Sequence, residues 1–183
     1  MMGASVLPTH LRSNPVGSYR NDANSLLCCL SCLNLKFLQT PVGILKVSQV
    51  VLASICQSLL LNFGIKHAIT LGFSFESFLS TVASCMMTSS ILVLCYVLSQ
   101  KSFKLIRTSM FELLFNGMAG CLYLGTSAYL WFAVNTFLYP YYLITPFYTV
   151  YPAMTAAYMF GFVLGSLHMI DAYIALKNFR GYF

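Results

Sequence analysis

The chain has 183 residues, of which 58% are hydrophobic and only 8% are charged, and its formal net charge at pH 7 is +6. A soluble globular domain carries about 25% charged residues, so this composition excludes an ordinary soluble domain. The stretch from Leu113 to Ile170 contains no Asp, Glu, Lys or Arg. We therefore predict that most of the chain lies in a membrane, and that its positive charge reflects membrane orientation rather than a nucleic-acid partner.

Four apolar blocks follow a polar N-terminal stretch, and each is near the ~20 residues that cross a hydrocarbon core. They lack the alternation of barrel strands, which favours an all-α integral membrane fold, a four-transmembrane-helix bundle. The predicted helices run over about 41–63, 75–98, 110–134 and 152–176. We expect a disordered or interfacial cytoplasmic tail over 1–35 and one membrane domain over 36–181.

Two helix starts carry capping signals. Thr40 followed by Pro41 is typical of an N-cap and a first helical position. Ser109 and Glu112 have the spacing of a capping box, in which each side chain bonds to the other residue's backbone amide. These signals predict that the first helix begins at Pro41 and the third near Met110.

Lysine and arginine residues indicate the orientation of the chain. Outside the helices, only Lys66 lies on the side of the 64–74 and 135–151 loops. Because basic residues are enriched in cytoplasmic loops, we predict that both termini and the 99–109 loop are cytoplasmic. A basic rim on that side would also bind anionic lipid, although orientation alone is the preferred explanation; its residues are Lys101, Lys104, Arg107, Lys177 and Arg180.

Ionisable residues inside the predicted helices need partners, because a charge at the membrane centre costs about 2.5–3.5 kcal/mol. Lys46 and Asp171 each lie near the cytoplasmic end of a helix, and therefore at a similar depth. We predict a structural ion pair between them, or a polar cluster shared with Glu112 and His168. A proton or substrate relay is the alternative, but a relay needs polar groups through the whole membrane depth.

Small residues recur every fourth position on two predicted helices. Such stripes let helix backbones approach closely in a membrane, so we predict helix packing within the monomer, with self-association as the alternative. The stripes comprise Ala153, Ala157, Gly161 and Gly165 on the fourth helix, and Gly117 and Gly125 with Cys121 on the third.

Three cysteines, Cys28, Cys29 and Cys32, cluster just before the first helix. Zinc needs further ligands that the neighbouring sequence does not supply, so no metal site is predicted. Reversible palmitoylation fits a juxtamembrane cluster, and unmodified interfacial cysteines are the alternative.

The second outer loop is rich in aromatic residues. An interfacial aromatic belt is the simpler interpretation, and a surface that contacts a facing membrane or a partner protein is the alternative. The aromatic residues are Phe137, Tyr139, Tyr141, Tyr142, Phe147, Tyr148 and Tyr151.

Catalytic motifs such as a phosphate loop, HExxH or a nucleophile elbow do not occur in the sequence. We therefore predict a non-enzymatic membrane protein with no cofactor. Two other functions stay open: a junctional or adhesion protein that acts through its aromatic outer loop, and a small transporter or channel subunit.

The segment that leads into the first helix resembles the opening of MARVEL-domain proteins; it reads Phe37-Leu-Gln-Thr-Pro-Val-Gly43-Ile-Leu-Lys46. The stretches Ala156-Ala-Tyr-Met-Phe-Gly161 and Leu167-His-Met-Ile-Asp171-Ala-Tyr resemble the last helix of that family. The resemblance covers roughly residues 36–181, and the short chain and small loops are similar to a small insect member implicated in myoblast fusion.

This resemblance implies a membrane organiser with cytoplasmic termini that acts in membrane apposition, vesicle trafficking or cell–cell fusion. It implies a location in the plasma membrane or in transport vesicles. The expected partners are membrane lipids, either cholesterol-rich or anionic, and a second copy of the chain or other membrane proteins.

Overall fold

The computed structural model describes residues 35–107, 109–145 and 148–181, and these residues are almost entirely helical. Four helices in this part of the chain are long and apolar enough to cross a membrane. We call them the first to fourth spans: Pro41–Leu71, Phe73–Leu98, Met110–Ile144 and Val150–Arg180. The prediction of an all-α, four-helix membrane fold is confirmed, while the cytoplasmic location of the termini stays a prediction.

The spans form a ring in which each packs against its neighbours in sequence and the fourth packs against the first. The third and fourth spans make the most extensive contact. Gly72 alone separates the first span from the second, and its φ of 58° lies in a region that glycine adopts at little cost. This glycine allows the sharp reversal that makes the two spans antiparallel.

The first span begins where the sequence predicts. The Thr40 hydroxyl oxygen accepts a hydrogen bond from the Gly43 backbone N–H at 3.1 Å, and Pro41 occupies the first turn. A short 3₁₀ turn, Leu35–Gln39, precedes it and packs closely on the helix. A Cβ at Gly43 would overlap the Phe37 carbonyl oxygen, so this close approach requires a glycine.

The first and third spans are longer than the apolar blocks of the sequence predict. The first span combines Pro41–Leu59 with a π turn (Leu60–Gly64), a 3₁₀ turn (Ile65–His67) and Ala68–Leu71. The third combines Met110–Ala133 with a π turn (Val134–Leu138) and a short aromatic helix, Tyr139–Ile144. These spans therefore continue past the predicted ends at 63 and 134, because backbone hydrogen bonding, not hydropathy, sets where a helix ends.

The expected 99–109 loop is also mostly helical. A connecting helix, Gln100–Arg107, joins the second and third spans. The predicted capping box at the start of the third span is wrong: the Ser109 hydroxyl instead donates to the Ile106 carbonyl at 2.7 Å. The Glu112 carboxylate points into the bundle, where it meets cations rather than a backbone amide.

At the end of the bundle that holds Gly72, apolar side chains fill the space between the spans. We call this the apolar end. Its fully buried members come from all four spans: Leu60, Phe75, Val134, Leu138 and Met154. Substitutions that conserve side-chain volume are tolerated in such an apolar core.

Small residues bring the third and fourth spans together. A methyl group on Gly165 would lie 3.3 Å from the Gly120 carbonyl oxygen, and the reverse contact has the same length. At Gly161, a methyl group would overlap the Ser127 hydroxyl and the Phe78 ring. On the fourth span the predicted stripe therefore lies at the helix contact: Ala157, Gly161 and Gly165 are buried and Ala153 is half-buried.

The predicted stripe on the third span does not pack inside the bundle. A methyl group added to Gly117 or Gly125 would meet nothing within 4 Å, and Cys121 is exposed. The prediction of intramolecular packing there is wrong, because the inward face of this helix carries Glu112 and Asn116. Gly120, which the stripe omitted, makes the close contact instead.

Candidate functional site

Charged side chains gather inside the bundle at the end opposite the apolar end. Lys46 comes from the first span, Glu112 from the third and Asp171 from the fourth, and all three are fully buried. Arg107, the last residue of the connecting helix, is 6% exposed. We call these four residues the charge cluster, and it draws on every segment of the bundle except the second span.

Lys46 lies at the centre of this cluster. Its Nζ is 2.6 Å from Asp171 Oδ2 and 3.3 Å from Glu112 Oε1. The same ammonium donates to Asn116 Oδ1 at 3.1 Å. The structure therefore brings together the two residues predicted to pair, and adds the predicted neighbour Glu112.

Arg107 bridges the two carboxylates from the other side. Its Nη1 lies 2.8 Å from Glu112 Oε1 and 3.1 Å from Asp171 Oδ1. The prediction that Arg107 belongs to an exposed lipid-binding rim is therefore wrong. The connecting segment is helical and ends with this side chain directed inward, where two carboxylates offset its charge.

An amide links the cluster to His168. Asn116 Nδ2 donates to the Glu112 backbone carbonyl at 2.9 Å, which fixes the orientation of the amide. Its Oδ1 then faces both Lys46 and His168 Nδ1, the latter at 3.0 Å. Because an amide oxygen only accepts hydrogen bonds, this geometry assigns the imidazole proton to Nδ1.

Aromatic rings pack around the imidazole of His168. Tyr123 stacks on it with ring centroids 5.5 Å apart, and Phe115 meets it edge-on at 5.9 Å. Lys46 Nζ also lies 5.9 Å from the centre of the Phe115 ring. These rings limit contact between the polar groups and the surrounding hydrocarbon.

The cluster is electrically balanced, because it holds two cations and two carboxylates. Such a group has little tendency to bind a further ion but strongly resists loss of one member, since an unpaired buried charge costs about 3–5 kcal/mol. The salt bridges connect three spans and the connecting helix. This geometry fits the predicted structural ion pair, whose structural role stays a prediction.

The cluster lies shallow in the membrane. The fourth span has 31 residues, a helix about 46 Å long against a hydrocarbon core of about 30 Å. If this span is centred, Asp171 lies only about 6 Å inside the hydrocarbon at the end that holds Arg180.

The remaining predicted site residues lie apart from the cluster or outside the described residues. Lys101, Lys104, Lys177 and Arg180 are exposed at the same end of the bundle. Cys28, Cys29 and Cys32 fall outside the described residues. Sequence reasoning missed Asn116 and Tyr123; the spacing of Asn116, one turn after Glu112, was the available signal.

Comparison with known proteins gives two matches. Residues 37–174 match the family model described as the membrane-associating domain, MARVEL. The chain is 44% identical over 158 residues to Protein singles bar of Drosophila melanogaster, an alignment that covers 85% of this chain and 90% of the relative. No solved structure matches. The sequence-based resemblance is confirmed, and the chain belongs to the MARVEL family of multi-pass integral membrane proteins.

Proposed function

We propose that this protein is a non-enzymatic membrane organiser that acts in membrane apposition, vesicle trafficking or cell–cell fusion. Membership of the MARVEL family supports a role at membranes, and the similarity to Protein singles bar covers most of both chains. The proposed location is the plasma membrane or transport vesicles, with both termini in the cytoplasm.

The observation that carries this proposal is how the buried polar groups are used. The charged side chains of the cluster bind each other at one end of the bundle. Toward the other end, fully buried side chains such as Leu138 and Met154 are apolar. A transporter subunit needs polar groups along its whole depth, so this division supports an organising role rather than a transport path.

The proposed orientation rests on exposed charge. Lys101, Lys104, Lys177 and Arg180 are exposed at the charged end, whereas Lys66 is exposed near the apolar end. This asymmetry supports placing the charged end at the cytoplasmic face. Cysteine introduced at Lys177 should then react with a membrane-impermeant thiol reagent only after the membrane is opened, on a background that lacks other accessible cysteines.

The test of function is removal of the protein from fusion-competent muscle precursors, followed by rescue with a tagged copy. Multinucleate cells are counted, and vesicles at contact sites are examined by electron microscopy. Arrested fusion with vesicles held at the contact, reversed by the tagged copy, is the expected result. Normal fusion, with the tag confined to a compartment that takes no part in contact or traffic, would contradict the proposal.

A second candidate function, adhesion, is favoured by the aromatic helix Tyr139–Ile144. Tyr141, Leu143 and Ile144 on it are exposed, while Tyr142 stacks on Tyr151 at 4.9 Å and so anchors the segment to the fourth span. Replacement of Tyr141 and Leu143 by serine separates the candidates. Loss of cell clustering with normal sorting would support adhesion, and unchanged clustering would exclude this helix.

A further inference from the structure

A cavity of about 450 Å³ lies at the charged end, between the start of the first span, the connecting helix and the end of the fourth span. Its walls include Val42 and Phe103 on the apolar side, and Lys104, Arg107, Lys177 and Asn178 on the polar side. Among the residues that the structure describes, no Asp or Glu lines it. The volume is within the range of small-molecule sites, about 300–1,000 Å³.

Arg107 also lines the cavity, but its guanidinium belongs to the charge cluster. Its Nη1 bonds to Glu112 and Asp171, and its Nη2 is buried, with no surface that a ligand could reach. A ligand in the cavity would therefore meet the exposed lysine side chains of the lining rather than Arg107.

The positive charge of the lining residues favours an anionic ligand. Because the two carboxylates offset Lys46 and Arg107, the positive charge of the lining comes from Lys104 and Lys177. The end of the fourth span contributes backbone carbonyls, which repel anions, so these lysine side chains are needed to hold one. Lysine side chains bind phosphate as point charges.

We propose that this cavity binds the phosphate group of a membrane lipid headgroup. If the fourth span is centred, Lys177 lies about 3 Å beyond the hydrocarbon core, at the depth of the headgroups. Val42 and Phe103 form an apolar part of the lining, against which the glycerol and acyl chains of the lipid would pack. A phosphorylated inositol headgroup carries the negative charge that Lys104 and Lys177 would attract.

The proposal is tested by titrating the purified full chain in neutral detergent with short-chain phosphatidylinositol bisphosphate. Lys177→Gln and Lys104→Gln should each weaken binding about fivefold, since one basic residue near a membrane surface contributes about that factor. Lys177→Arg should bind nearly as well as the original chain.

The matched controls are Lys101→Gln and Arg180→Gln, which remove the same charge from exposed side chains that do not line the cavity. Their binding should change less than twofold. Equal weakening by all four glutamine variants would overturn the proposal, because a diffuse basic surface would then explain the affinity. Absence of binding would overturn it as well.

One further ligand, the free headgroup, identifies the source of the phosphate. Free inositol trisphosphate that binds as tightly as the lipid would support the phosphate site but make a soluble headgroup sufficient. Weaker binding of the free headgroup supports the lipid. Each variant is first checked for an unchanged melting temperature, so that loss of binding is not confused with loss of fold.

Discussion

The two ends of the bundle differ in the contacts that their buried side chains make. At the apolar end, side chains such as Leu138 and Met154 pack without polar contacts of their own. At the charged end, Lys46 and Arg107 bridge two buried carboxylates. In a membrane the hydrophobic effect does not drive helices together, so packing and polar contacts decide their association. In this bundle, apolar packing and polar contacts are therefore concentrated at opposite ends.

The two layers should respond differently to substitution. Dispersion is shared among many atoms, so a shape-conserving change at the apolar end is tolerated. An ion pair is specific to its partners, so loss of a single member leaves an uncompensated buried charge. The charged end is therefore the less tolerant of the two.

The largest effect is expected for Lys46→Leu. The substitution leaves Arg107 against two carboxylates, a net negative charge inside the membrane, and should cost about 3–5 kcal/mol of unfolding free energy. Reversible unfolding in mixed micelles of neutral detergent and dodecyl sulfate measures it. Lys101→Leu, at an exposed position of the connecting helix, is the control. An equal, small effect of both substitutions would show that the cluster contributes no specific stability.

A smaller but still substantial effect is expected at the apolar end. Leu138→Ala should cost about 2–5 kcal/mol, through lost contacts and the cavity left behind. Leu138→Met conserves volume and should cost less than about 1.5 kcal/mol. The same unfolding measurement applies. If Leu138→Met lowered the unfolding free energy as much as Leu138→Ala, packing at the apolar end would depend on exact side-chain shape. That result would contradict the expected tolerance of this end.

The smallest effects separate the two glycine stripes. Gly161→Ala should destabilise by about 1–3 kcal/mol, because its methyl group would overlap Ser127 and Phe78. Gly125→Ala meets nothing within 4 Å and should be neutral or stabilising by up to about 1 kcal/mol, since alanine favours helix. A destabilised Gly125→Ala variant would indicate that this outward stripe packs against another molecule.

Much of this fold could be predicted from the sequence, because hydropathy depends on single residues. Four apolar blocks gave the four spans, and the Thr40-Pro41 signal located the first helix start. The depth argument that placed Lys46 and Asp171 together needed only helix geometry and an even number of crossings between them. The structure places their charged atoms 2.6 Å apart, while the structural role assigned to the pair stays a prediction.

The errors have a common physical cause, which is that hydropathy does not report where a helix faces. Arg107 was assigned to an exposed rim because the connecting segment was expected to be a loop. On the third span, Glu112 and Asn116 mark the inward face, and Gly117 lies about 100° around the helix from Asn116. Buried polar residues, rather than glycine spacing, were the better guide to that face.

The measurement that tests the account most directly is a double-mutant cycle between Lys46 and Asp171, using leucine at each position. Removing both residues leaves Arg107 and Glu112 as a balanced pair, so the double variant should lose at least about 1 kcal/mol less than the sum of the single variants. Additivity within about 0.5 kcal/mol would contradict the claim that these charges stabilise the bundle as one cluster.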